Sequence, residues 1–157
     1  MQVTLKNLSA VRVAYMRHVG PYGLSINQFW TRTFMPWCQS QGFSGALSYY
    51  GIGLDDPDFT PPAQCRYDAC VQISDDLMVS APASVAMLPG GRYAVAQFNG
   101  PVREMPIAWT RLLREWMPAS GLQMDSRPAF EHMVADSCFD AARGTITCDL
   151  CVSVRPL

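Results

Sequence analysis

Long hydrophobic runs are missing. No apolar stretch of the chain approaches the ~20 residues that a helix needs to cross a bilayer. The opening Met1-Gln2-Val3-Thr4-Leu5-Lys6 also lacks the charged start and continuous apolar core of a secretory signal. A soluble, cytoplasmic protein with no membrane partner is expected. An excess of charge is equally absent. With 12 Lys and Arg against 13 Asp and Glu, the sequence carries no basic footprint for a phosphate backbone, and direct nucleic-acid binding is not expected. Histidine is scarce, His18 and His132 standing in unrelated contexts. A zinc centre wants four converging ligands, so neither a metal nor any other cofactor is expected.

Cysteine is not scarce, at six residues, but a secretory context is. A chain of 157 residues buries roughly two-thirds of its unfolded surface without covalent staples. The thiols therefore read as small core hydrophobes and not as a disulfide framework. Cys148-Asp149-Leu150-Cys151 has CxxC spacing, yet it falls within the alternating run Thr145 to Val154. On a strand, residues three apart point to opposite faces, which defeats a redox pair or a chelate.

What is present is a repeat. An offset of 80 positions aligns Arg12 with Arg92, Ala14 with Ala94, Gly20-Pro21 with Gly100-Pro101 and Tyr50 with Phe130. With one residue of drift, Asp68-Ala69-Cys70-Val71 meets Asp149-Leu150-Cys151-Val152. The expected organisation is one domain, 1–157, made of two copies of a single unit, about 1–73 and 83–157, joined by 74–82.

In the first copy, Val11 to Val19 alternates and is stopped by Gly20-Pro21, so it reads as a strand. Leu24, Ile26, Phe29, Trp30, Phe34 and Trp37 then recur at mostly helical spacing, giving a helix over Leu24 to Gln41 that Pro36 bends or ends early. Ala46 to Ile52 and Arg66 to Ile73 are the next strands, separated by an Asp- and Pro-rich loop from Asp55 to Pro62. The second copy repeats the order: strand Arg92 to Phe98, helix Pro106 to Met117, strands Ala129 to Val134 and Thr145 to Val154, with a loop from Asp136 to Gly144. Met1 to Leu8 and Ala83 to Leu88 correspond at the same offset and precede or extend each first strand. Strand, helix, strand, strand, twice, predicts an α+β fold with a mainly antiparallel sheet and both helices on one face.

The strand Ala129 to Val134 carries an isolated carboxylate. Alternation puts Ala129, Glu131 and Met133 on one face and Phe130, His132 and Val134 on the other. Taken alone, such an acid reads as solvated. A duplicated fold, however, has a concave seam between its copies, and that seam is a natural pocket. Tyr49, Tyr50, Phe98, Trp109 and Phe130 are the aromatic candidates to line it, against the commoner fate of such residues as ordinary core.

Val19-Gly20-Pro21-Tyr22, Tyr49-Tyr50, Asp55-Asp56-Pro57, Cys65-Arg66-Tyr67-Asp68-Ala69-Cys70-Val71, Trp116-Met117-Pro118-Ala119-Ser120-Gly121 and Pro128-Ala129-Phe130-Glu131 together resemble the GyrI-like family. This is the small-molecule-binding domain shared with effector-binding domains of AraC-type regulators. The resemblance covers nearly the whole chain and implies a duplicated strand-helix-strand-strand fold, the SHS2 module. It also implies that Glu131, matching the family's Phe-Glu acid, faces the ligand groove. Met133 stands where the family often has Tyr, so chemistry needing a phenol there is not expected. Once both repeats are assigned, nothing remains for a helix-turn-helix, and a stand-alone effector-type domain is expected.

Three classes of function follow from the resemblance. The first is a binding protein for lipophilic, often cationic, small molecules, in sensing, sequestration or resistance, with Glu131, Tyr49, Tyr50, Phe98, Trp109, Phe130 and Met133 about the ligand. The second is a hydrolase of cyclopropane-bearing DNA-alkylating compounds, with Glu131 activating water. The third is a protein partner of DNA gyrase.

Overall fold

The computed structural model describes residues 1–43, 47–134, 139–140 and 142–157. It contains two compact units: Val11–Leu88, and Met1–Ala10 together with Pro89–Leu157. The chain opens on β1 (Val3–Leu8), which belongs with the C-terminal unit.

The unit Val11–Leu88 holds β2 (Val11–Val19), β3 (Ser48–Gly53), β4 (Arg66–Gln72) and β5 (Ser84–Leu88). The order is β3-β4-β2-β5 and every pairing is antiparallel. Ala14 stands opposite Val71, and Tyr50 opposite Cys70. β2 ends at the expected place. Gly20 adopts φ 152°, and a Cβ there would press on the His18 ring at 3.3 Å, so the turn suits glycine alone. Ala46, at the start of the third expected strand, lies outside the described residues.

The helical segment of this unit runs from α1 (Leu24–Phe29) through a π-helical stretch, Trp30–Phe34, into α2 (Met35–Ser40). Of the two outcomes expected at Pro36, a bend or an early end, the early end is not found. Proline lacks an N–H and its ring crowds the carbonyl four residues back. Widening the preceding turn to the i→i+5 pattern removes that demand, and the helix continues.

The other unit holds β1, β6 (Gly91–Pro101), β7 (Leu122–Met124), β8 (Phe130–Val134), β9 (Phe139–Asp140) and β10 (Thr145–Pro156). β10 is its spine, pairing antiparallel with β6, β7, β8 and β9, while β1 pairs with the far edge of β6. Here Ala94 stands opposite Val152 and Phe130 opposite Cys151. β6 runs through the expected breaker, because Pro101 occupies the last position of the ladder, opposite Thr145, where a missing donor costs little. The expected loop Asp136 to Gly144 contains β9; residues 135–138 and 141 lie outside the described residues. Helix α3 (Met105–Thr110) passes through a second π-helical stretch, Arg111–Trp116, into α4 (Met117–Ala119), with Pro118 again just beyond the widened turn. Leu112, Leu150 and Val152 are among the fully buried side chains beneath the helix, and Tyr93 is fully buried on the other face of the sheet. The fold is α+β, with antiparallel sheets covered by helices.

Each of the short strands β1 and β5 pairs away from the long strand that follows it: β1 precedes β2 but joins β6, and β5 precedes β6 but joins β2.

Candidate functional site

Register on β10 decides which side chains of β8 share a face. Glu131 is opposite Leu150, His132 opposite Asp149 and Phe130 opposite Cys151. Directly opposed residues of an antiparallel pair lie on one face and successive residues alternate. Glu131 and Met133 therefore lie on the side of Leu150. Cys148, two residues before Leu150, is opposite Phe98, which puts Phe98 on that side as well.

The helix covers the same face. Trp109, on α3, donates its indole N–H to Glu131 Oε1 at 3.1 Å. Glu131 is half-buried, yet the surrounding protein strips water from its carboxyl and pushes its pKa up to about 7, against the opposing pull of the Trp109 hydrogen bond. Among the described residues, no buried side-chain nitrogen or oxygen lacks a partner, and the indole is the hydrogen-bond partner of Glu131. Among the described residues, no hydrogen bond engages the second carboxylate oxygen. Met133 and Phe98, both buried, complete an apolar surround on this face.

Phe130 lies on the opposite face. Its ring meets Tyr93 edge-on, with centroids 5.3 Å apart, and the Arg127 guanidinium sits 4.9 Å from the Tyr93 centroid. Arg127 also donates to the carbonyls of Gly90 and Arg92 at 2.8 and 3.2 Å. A Cβ on Gly91 would collide with that guanidinium. This face further holds His132, whose imidazole is lowered by burial while Asp149 opposes. Beside it is an open polar depression of about 430 Å³ lined by Gln2, Thr4, Lys6, Val95, Gln97 and Asp149.

Tyr49 and Tyr50 belong to the other unit. Tyr49 lies on the helix side of β3, 6.2 Å from Trp30 between ring centroids, and Tyr50 faces the other way, opposite Cys70. There the Trp30 indole donates to the Tyr67 hydroxyl at 3.1 Å. Sequence reasoning missed Trp30 and Tyr67, although Trp30 precedes Trp109 by 79 positions, nearly the repeat offset. Of the seven expected site residues, the structure brings Phe98, Trp109, Glu131 and Met133 to one face of one unit.

Among the described residues, no group of three or more His, Cys, Asp or Glu side chains could hold a metal ion, and no helix is long and apolar enough to cross a membrane. Five cysteines are buried and free; Cys138 lies outside the described residues. Burial pushes the Cys38 and Cys151 thiols up to about 12 and raises that of Cys70 as well. Such thiols are inert as nucleophiles.

Comparison with known proteins points one way. Residues 1–155 match the GyrI-like small molecule binding domain. YosT of Bacillus subtilis, a prophage-derived protein named as a transcriptional regulator, is 35% identical over 83% of this chain and 87% of its own. A DNA gyrase inhibitor of Serratia proteamaculans is 30% identical over 89% of this chain and 94% of its own. Among solved structures, the C-terminal domain of EcmrR superposes with a TM-score of 0.78 at 12% identity, over 99% of this chain and 98% of that domain. The longer EcmrR chain in its DNA complex is spanned over 58% of its length. SAV2435 bound to tetraphenylphosphonium has a TM-score of 0.58 at 15% identity, over 99% of this chain and 94% of that one. A hydrolase of Listeria innocua has 0.65 at 10%, over 98% and 92%. At these identities the structures share the fold alone.

Proposed function

The chain belongs to the GyrI-like small-molecule-binding domains, and from that premise we propose that it binds lipophilic cations in the cytoplasm, for sensing, sequestration or resistance. Glu131 supplies the charge, and Trp109, Phe98 and Met133 supply the apolar contact. One observation carries this reading: a half-buried carboxyl whose hydrogen-bond partner is the neutral Trp109 indole, with burial raising its pKa to about 7. An acid in that position costs folding energy, and a cation that returns its charge partner offsets the cost. The tetraphenylphosphonium complex of SAV2435 makes that compound the natural first probe. Phe130, on the far face with Tyr93, does not share the Glu131 face, and Tyr49 and Tyr50 belong to the other unit. Calorimetric titration should give Glu131→Gln a loss of tenfold or more for tetraphenylphosphonium and little change for neutral triphenylmethane. Equal losses for both would refute the charge role.

A second reading is favoured by the same acid. A carboxyl with one oxygen that no hydrogen bond engages among the described residues and a pKa of about 7 is matched to accept a proton from water near neutral pH. A hydrolase of strained, cyclopropane-bearing alkylating compounds would use Glu131 in this way, with the aromatic side chains holding the electrophile. Glu131→Gln would then abolish turnover, read by mass spectrometry, while leaving binding largely intact. Docking on DNA gyrase ranks third, resting on the name of the Serratia relative.

A further inference from the structure

The geometry around Glu131 points to a receptor with two ligand classes. We propose that the site binds a permanent cation when the Glu131 carboxyl is ionised and a neutral hydrogen-bond acceptor when it is protonated, exchanging a proton for each cation bound. This rests on the reading of Glu131 as the ligand-facing acid.

One oxygen is committed to the Trp109 indole. An indole N–H only donates, so it satisfies Oε1 in either protonation state and leaves the second oxygen to face the ligand. Ionised, that oxygen is an acceptor carrying charge; protonated, it is an O–H donor. Among the described residues, burial and the indole hydrogen bond are what tune the switch. On β8, His132 points to the opposite face. On β10, Leu150 faces Glu131, while Asp149 pairs with His132 on the other side. On the covering helix, Arg111, Arg114 and Glu115 are exposed. Desolvation and the indole are what shift the carboxyl, so it titrates where cellular pH can populate both forms.

Two ligands without titratable groups separate the classes: tetraphenylphosphonium, a fixed cation, and triphenylphosphine oxide, a neutral acceptor of similar girth. Their dissociation constants are measured from pH 5.5 to 9. The cation should weaken tenfold per unit as pH falls below the carboxyl's titration and level off about one unit above it. The oxide should do the reverse. Repeating the cation titration in buffers of different ionisation enthalpy should reveal close to one proton released at pH 6. Glu131→Gln, a permanent donor, should flatten both profiles and keep the oxide bound. If the cation binds with the same affinity from pH 5.5 to 9, the proton exchange is refuted while the binding function stands. If the oxide follows the cation, the two-class reading is refuted. If neither ligand binds at any pH, the binding function falls, and this inference with it.

Discussion

Replacing Trp109 with Phe keeps an aromatic ring over Glu131 and removes only the N–H that reaches Oε1 at 3.1 Å. A hydrogen bond to a charged acceptor contributes about 1.5–3 kcal/mol, and each pK unit corresponds to about 1.4 kcal/mol. That bond stabilises the ionised carboxyl against the desolvation that has raised its pKa to about 7. Without it, the carboxyl should titrate about one to two units higher. At pH 7 the ionised fraction then drops from roughly one half to between about one tenth and one hundredth, by the same relation. Affinity for tetraphenylphosphonium should fall roughly 5- to 50-fold at pH 7 and recover most of the way by pH 9.5. A loss from poorer packing of the smaller ring would be independent of pH, so the recovery is the diagnostic part. Carbon-13 NMR of the glutamate carboxyls reads the titration itself. If Glu131 in Trp109→Phe titrates at the wild-type pH or below it, the indole is not holding the ionised form.

Because the folded protein holds the Glu131 proton more tightly than the unfolded chain does, wild-type stability should decline as pH rises from about 4.5 to about 7 and then level off. Glu131→Gln should escape this decline, gaining up to about 3 kcal/mol on the wild type across that window in urea denaturation; a gap that does not change with pH would refute the buried acid. Cys38, Cys70 and Cys151, with thiols raised by burial, should resist iodoacetamide at pH 8 in native protein and react fully in urea, whereas native labelling at the rate of a free thiol would show an open core. As a proposal, the 80-residue offset reflects duplication: superposing 11–73 on 91–154 in an experimental structure should bring Gly20 onto Gly100 and Asp68 onto Asp149, and non-equivalent placement would end that idea.

Period-two patterning was the most legible part of the fold. The alternation around Glu131 separated Glu131 and Met133 from Phe130 and His132, and the β10 register separates them in the same way. Naming Phe130 as a neighbour of the ligand went against that alternation, and its ring is found with Tyr93 on the far side. Two kinds of element escaped. β7 and β9, of three and two residues, are too short to show alternation and exist because β10 offers them an edge. The partners of β1 and β5 are set by pairing between distant segments, which no local pattern encodes.

The helices show how a local rule failed and left a useful trace. Proline at 36 read as a bend or an early end, yet in both helices the turn just before the proline, at 36 or at 118, is π-helical, Trp30–Phe34 and Arg111–Trp116. A widened turn changes which face of the helix each later residue presents, because i→i+5 bonding inserts an extra residue into the turn. Trp30 opens the first widened turn, and Trp109 stands two residues before the second. Each is the residue whose indole reaches an oxygen beneath the helix, on Tyr67 in one unit and on Glu131 in the other. The proline that forces the widening thereby fixes where the helix re-registers beyond its tryptophan. A sequence reader who treats such a proline as a register shift, and not as an end, would look for the tryptophan six to nine residues upstream of it. Replacing Pro118 with Ala restores the missing donor and permits an ordinary α-turn. If the widened turn positions Trp109, that substitution should disturb the Trp109–Glu131 bond, moving the Glu131 titration upward as Trp109→Phe does while leaving the ring in place. An unchanged titration in a folded Pro118→Ala protein would show that the proline shapes the helix end and nothing more.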